Sequence, residues 1–266
     1  MAWMVIIYLA ALTVLLVSAF WSVDSFTGEI VHSWSLDNFH TLITSPTYRR
    51  IALRTIGIAA AVTVIDVILA FPTGYFMARF ASARLRALLF ALMLLPLWSA
   101  YVGPIYAWRL ILAHDGILNW GLGLLGLPAA HIGYTNWAVC IVFSYLWLPF
   151  MITPVYAALE RIPDSYLEAS GDLGGRGWRT FRRVILPLAI PGVIAGSIFT
   201  FSLTLGGYIT PVLVGGPGSD LIGNVIYANV GAANNIPFAA AFAVVPILVM
   251  GMYLFMARRL GAFEMM

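Results

Sequence analysis

The chain has 266 residues, 62 % of them hydrophobic and 9 % charged, where soluble domains carry about 25 % charged residues; it reads as a polytopic protein surrounded by a lipid bilayer. All 14 basic residues are arginine, so there is no lysine for a phosphate-binding P-loop or a Schiff base, and no enzymatic activity is expected of the chain itself. The net charge of +3 is arginine set in loops, which signals topology and not a nucleic-acid surface.

Apolar runs of about 20 residues recur, each long enough to cross a bilayer core of roughly 30 Å, and together they predict one transmembrane domain over 1–266. The first span is residues 2–22, with Trp3 and Trp21 placed as interfacial anchors. A cleaved signal peptide is the competing reading, but no basic residue precedes the run and the run is long for such a segment. Residues 23–48 mix polar and aromatic side chains and predict a short ordered external segment. The second span, 52–78, ends in Phe71-Pro72-Thr73-Gly74, and Pro72 predicts a kink near its end. Arg79, Arg84 and Arg86 then precede a third span at 87–112, followed by a glycine-bearing connection at 113–134 that predicts a partly helical, interface-lying segment. The fourth span is 135–158.

Residues 160–187 are the one long polar stretch, with nine charged residues. Charge at the bilayer centre costs roughly 2.5 to 3.5 kcal/mol per residue on insertion scales, so this stretch lies in water or against a polar partner. Pro163 can open a helix, Asp164 suits the positive end of the helix dipole, and a helix of about two turns follows. Gly171, Gly174, Gly175 and Gly177 then supply backbone freedom for a sharp return. The fifth span is 188–213 and the sixth 236–257. The loops at 79–86, 160–187 and 258–259 hold ten arginines against four (Arg49, Arg50, Arg54, Arg109) at the other side. By the positive-inside rule the first set, and both termini with it, is cytoplasmic.

Few residues offer chemistry. Asp66 is the one carboxylate deep in a span, either facing a path or buried as a hydrogen-bonded packing residue. Trp98, Tyr101, Trp108 and Trp147 either line a path that attracts a cation through their rings or belong to core and interface. Gly206, Gly207 and Tyr208 in the fifth span mark flexibility or space for something close by, and Gly192 and Gly196 permit close helix approach. Cys140 is the sole cysteine, and the four histidines have no ligand-like spacing. No metal site is expected.

The spelling Glu168-Ala169-Ser170, with Gly174, Val184 and Leu186-Pro187 downstream, resembles the EAA signature of membrane subunits of ATP-binding-cassette importers, with Ser170 in place of an alanine and Val184 in place of an isoleucine. RTIGIAAAVTV in the second span and LGGYITPVLVGG in the fifth look like permeases of the spermidine/putrescine group. The resemblance implies an all-helical, six-span type I importer permease of the bacterial inner membrane. It implies that 160–187 is a coupling loop docking on the ATPase, carried by Asp164, Tyr166, Leu167, Glu168, Ala169, Ser170, Gly174, Leu186 and Pro187. A second permease, a pair of ATPase subunits that hold the ATP and magnesium, and an extracytoplasmic solute-binding protein are the implied partners, and this chain holds no cofactor. The polyamine permeases commonly carry an acidic residue where Gly207 stands here, so the implied solutes extend to related amines and amino-acid-like compounds. The rival reading is a secondary transporter or channel acting alone; paired intramembrane charges and an inverted repeat would favour it, and neither is present in the sequence.

Overall fold

The computed structural model describes residues 2–24 and 27–259. Helix α1 (Ala2–Ser18) is followed by a two-stranded antiparallel ribbon, β1 (Ser22–Val23) and β2 (Ile30–Val31), and by α2 (Asp37–Thr44). The 34-residue helix α3 (Pro46–Arg79) comes next, then α4 (Ala83–Trp98), α5 (Val102–Leu112), α6 (Ile117–Leu124) and α7 (Asn136–Glu160). The polar stretch forms α8 (Asp164–Asp172) and the single turn α9 (Trp178–Thr180), which runs through a π-helical segment, Phe181–Ile185, into α10 (Leu186–Leu205). Helices α11 (Ile209–Val214), α12 (Ile222–Val230) and α13 (Ile236–Arg259) complete the chain.

The scaffold is α3, α7 and α10 packed on one another. Lipid tails are as apolar as leucine, so these helices gain little by hiding from lipid and associate through close packing. Small residues make that possible. A Cβ on Gly196 would lie 2.6 Å from Met151 Sδ and 3.0 Å from its Cα, and one on Gly192 would lie 2.5 Å from the Pro154 carbonyl oxygen and 2.6 Å from Ala158 Cβ. The glycine pair therefore sets the α10–α7 contact, as its spacing predicts. Gly74 does the same for α3, where a Cβ would sit 3.3 Å from the Tyr156 amide nitrogen. Phe143, Ile105, Val62 and Leu221 fill the half of the bundle nearer α11, and Met77, Met151, Val155, Leu159 and Ile185 fill the half nearer α8. Phe238 and Phe242 of α13, tilted and edge-on against Tyr48, join that helix to α1, α2 and α3. At the periphery, α4 buries no residue, and α1 exposes Trp3, Ile6 and Tyr8, faces suited to lipid.

Among the described residues, four helical segments are long and apolar enough to cross a membrane: α3, α7, the run Trp178–Leu205 and α13. The expected third span is not one helix. It breaks after Trp98 and restarts at Val102, and the two arms are bent by 96°. Pro96 lacks the N–H that would extend the ladder, and Ser99 leaves the helix in extended geometry at ψ 151°. The expected fifth span is likewise interrupted, at Gly206–Tyr208, and starts earlier than predicted because the π segment leads straight into α10. The expected first span is shorter, since α1 ends at Ser18. Helix α3 continues through Pro72 to Arg79. The segment 23–48, expected to be external, holds the end of β1, then β2 and α2, over its described residues, and α6 supplies the helical part of 113–134.

Candidate functional site

Two regions concentrate the chemistry, one at the arginine-rich end and one where α5, α7 and α11 meet. At the first, Pro163 is the N-cap of α8, in extended geometry (φ −65°, ψ 145°), and Asp164 begins the first turn at the positive end of the dipole. Leu167 turns inward to the core while Tyr166, Glu168 and Ala169 stay exposed, so most of the helix faces away from the bundle. Its far end closes by a glycine cap. Gly174 takes φ +74°, its N–H donates to the Gly171 carbonyl (2.9 Å), and the Gly175 N–H donates to the Ser170 carbonyl (2.7 Å). Gly177 has φ +37° and makes the second sharp turn. Gly171, expected at the turn, lies inside α8 with open space beside it.

Ser170 Oγ is 2.9 Å from Thr180 Oγ1, so the hydroxyl standing where the signature has an alanine ties the end of α8 to α9. Between them lies a cavity of about 420 Å³, lined by Tyr166, Ala169, Leu173, Arg179 and Arg183 among others. Leu186 and Pro187 begin α10 directly after the π-helical turn, so the N–H that Pro187 lacks falls where the helical ladder changes its spacing.

Two arginines, which sequence reading counted only as loop charge, fasten this unit to the spans. Arg79, the last residue of α3, reaches the α7–α8 turn: Nη1 is 2.6 Å from Asp164 Oδ1, and Nη2 donates to the carbonyls of Ile162 (2.6 Å) and Leu159 (3.2 Å). The guanidinium thereby caps the end of α7 and holds the start of α8. Arg86, in the first turn of α4, pairs with Glu160 Oε1 at 3.0 Å, and Tyr156 donates to the same oxygen. Opposite charge at the two loop entries was a visible signal for these pairs; the partner choice, 85 residues apart for Arg79, was not.

In the second region Tyr101 stacks on Trp147 (5.9 Å between centroids), which stacks on Phe143 (6.3 Å), and the Tyr101 hydroxyl is 3.3 Å from Thr210 Oγ1. Gly207 is buried against that ring: a Cβ there would lie 2.5 Å from Phe143 Cζ. Tyr208 stacks on Tyr227 of α12 at 4.8 Å, and its carbonyl accepts from Asn224 Nδ2 at 2.8 Å. Gly206 ends α10 and is exposed. The structure thus brings Tyr101, Trp147, Gly207 and Tyr208 together and leaves two candidates out. Trp98 ends α4 at 85 % exposure, and Asp66 is fully buried among α3, α7 and α10. Trp108 packs edge-on against Tyr145.

The same end carries ties the sequence did not announce. Arg54 donates to the carbonyls of Gly218 and Asp220, the Thr55 hydroxyl accepts from the Ile222 N–H at 3.0 Å, and Asn224 Oδ1 accepts from the Leu221 N–H at 2.9 Å. These pin the α11–α12 loop onto α3.

A bundle of interrupted apolar helices, with one polar helix held outside it by arginines, defines a membrane permease domain. Its sequence places it further: the chain belongs to the family of binding-protein-dependent transport system inner membrane components, whose profile matches residues 69–261. The inner membrane ABC transporter permease protein YdcU of Escherichia coli (strain K12) is 46 % identical over 98 % of this chain and 87 % of its own length. The spermidine/putrescine transport system permease protein PotB of the same strain is 34 % identical, covering 83 % of this chain and 80 % of its own. A crystal structure of a bacterial ABC transporter involved in the import of the acidic polysaccharide alginate superposes with a TM-score of 0.74 at 20 % identity, over 95 % of this chain and 90 % of that one. The MetNI methionine ABC transporter, in an inward-facing conformation, gives 0.60 at 18 % identity, over 80 % and 94 %. The expected all-helical ABC importer permease fold is therefore borne out, and the rival reading of a self-contained secondary transporter or channel gives way to family membership.

Proposed function

We propose that this chain forms one half of the transmembrane path of an ABC importer for small organic amines, with polyamines such as spermidine and putrescine as the first class to test. The observation that carries the reading is α8, a polar helix shown outward at the arginine-rich end and fixed to α3 by Arg79, while Arg86 ties the end of α7 to α4. In this reading that end is cytoplasmic, along with both termini, and Tyr166, Glu168 and Ala169 present the docking face for an ATPase subunit that holds ATP and magnesium. A second, related permease completes the path, and an extracytoplasmic binding protein delivers the solute.

The mechanism follows from the joints. Closure of the ATPase pair pushes α8; the glycine-capped stalk and the Ser170–Thr180 bridge make α8 and α9 move together, and the Arg79 clamp carries the push into α3. The bundle is stiff at its glycine contacts and compliant at its breaks, 99–101 and 206–208, so motion concentrates there. Tyr101 at the first break and Tyr208 at the second, with Trp147 packed behind Tyr101, offer aromatic rings to a cationic solute. The polyamine class is supported by the likeness to PotB, and the aromatic cluster supplies a cation-attracting surface without the carboxylate that Gly207 lacks.

The test is purification of the tagged chain in mild detergent, followed by uptake in proteoliposomes. An ATPase and a second permease are expected to co-purify, and radiolabelled spermidine or putrescine is expected to enter only with ATP and binding protein. Uptake by the isolated chain would overturn the proposal.

A further inference from the structure

Asp66 lies near the middle of α3 and is fully buried within this chain alone, so no partner subunit can reach its carboxyl. Both carboxyl oxygens lack a hydrogen bond. The Ser144 hydroxyl of α7 faces the group, yet its oxygen is also buried and without a partner. One turn away, Thr63 Oγ1 is 3.5 Å from Thr200 Oγ1 of α10, and beyond it Tyr253 of α13 donates to Ser197 Oγ at 2.6 Å. These hydroxyl contacts join α3, α10 and α13 one turn from the carboxyl without reaching it.

No counter-charge is available among the described residues. The arginines of α3 nearest to Asp66 are Arg54 and Arg79, 12 and 13 positions away, or about 18 to 20 Å along the axis at the α-helical rise. Arg54 is engaged with the Gly218 and Asp220 carbonyls and Arg79 with Asp164 and the end of α7. The facing lengths of α7 and α10 contribute Ser144 and Thr200 but no arginine or histidine. A carboxylate left ionised and unpaired in such surroundings is strongly disfavoured, and a single small positive charge at the site removes the penalty.

We propose that Asp66, facing Ser144, is a buried site for one positive charge, a proton held on the carboxyl. Occupancy offsets the cost of the carboxylate where α3 packs against α7. This does not depend on the nature of the imported solute or on the ATPase contact, and its readout is spectroscopic.

The experiment is infrared difference spectroscopy on the complete detergent-purified transporter, wild type against Asp66→Asn. A carbonyl band of a protonated carboxylic acid that the variant loses assigns the charge to a proton. A carboxylate band that shifts when sodium or potassium is exchanged for N-methyl-D-glucamine marks an adventitious ion and overturns the proposal. A carboxylate band indifferent to these exchanges overturns the proposal. Should Asp66→Asn fail to insert, Ser144→Ala serves in its place: the proposal predicts a displaced Asp66 band, and an unmoved spectrum refutes it.

Discussion

Removing Arg79 is the sharpest perturbation of the mechanical account. Its guanidinium serves three acceptors, and they are unequal. Asp164 has a side chain 81 % exposed, and an ion pair that open to water is worth about 0 to 1 kcal/mol. The carbonyls of Ile162 and Leu159 accept from an arginine whose side chain is only 14 % exposed, and bonds to charged groups are worth about 1.5 to 3 kcal/mol each. Arg79→Ala is therefore expected to weaken the seating of α8 by about 3 kcal/mol, and Asp164→Asn by less than about 1 kcal/mol. At about 1.4 kcal/mol per tenfold, the first raises the unseated population about a hundredfold and the second less than tenfold. Hydrogen exchange at the amides of 164–172 in the purified transporter measures this directly, and the ratio of ATP hydrolysed to solute imported should rise in Arg79→Ala. Equal effects of the two substitutions, or unchanged exchange in Arg79→Ala, would refute the reasoning.

Gly192→Val and Gly196→Val are each expected to destabilise the bundle by about 1 to 3 kcal/mol, because the added methyls meet Pro154, Ala158 or Met151; thermal unfolding of the purified chain checks this, with Gly57→Val on the open face of α3 as a control expected to stay near wild type. Gly207→Asp is expected to lower stability and to leave uptake poor, since the new side chain collides with Phe143, and Gly207→Asp combined with Phe143→Ala is expected to lose less stability than the two single changes added together. A stable single variant would show that Phe143 does not set the identity of residue 207.

Much of the arginine-rich end was legible because its rules are local. Proline and aspartate at a helix start, and glycine where the backbone must turn left-handed, act over a few residues, so α8 and a glycine turn after it could be placed from spelling alone, though not which of the four glycines makes the cap. The glycine pair on α10 was readable for the same reason, its spacing naming one helix face. The breaks were less visible. Pro96 and Pro104 stood in a run whose hydropathy never falls, and hydropathy averages over a window that a three-residue interruption does not disturb. Glycine at 207 looked like missing chemistry, whereas the structure gives it a steric reason, the Phe143 ring of another helix. The Arg79 clamp and the isolation of Asp66 both depend on which distant elements meet, and no single-sequence pattern encodes that.

The central claim is that motion of an ATPase enters this chain through α8 and its glycine cap. Gly174 holds φ +74°, a conformation that costs a side-chain-bearing residue about 1 kcal/mol or more, and Glu168 lies on the exposed face. The most direct measurement is ATP-driven uptake by proteoliposomes containing the whole transporter, with Gly174→Asp or Glu168→Lys in place of the wild-type chain. The account predicts a complex that inserts and assembles, still hydrolyses ATP, and imports little or no solute; normal uptake in either variant would contradict it.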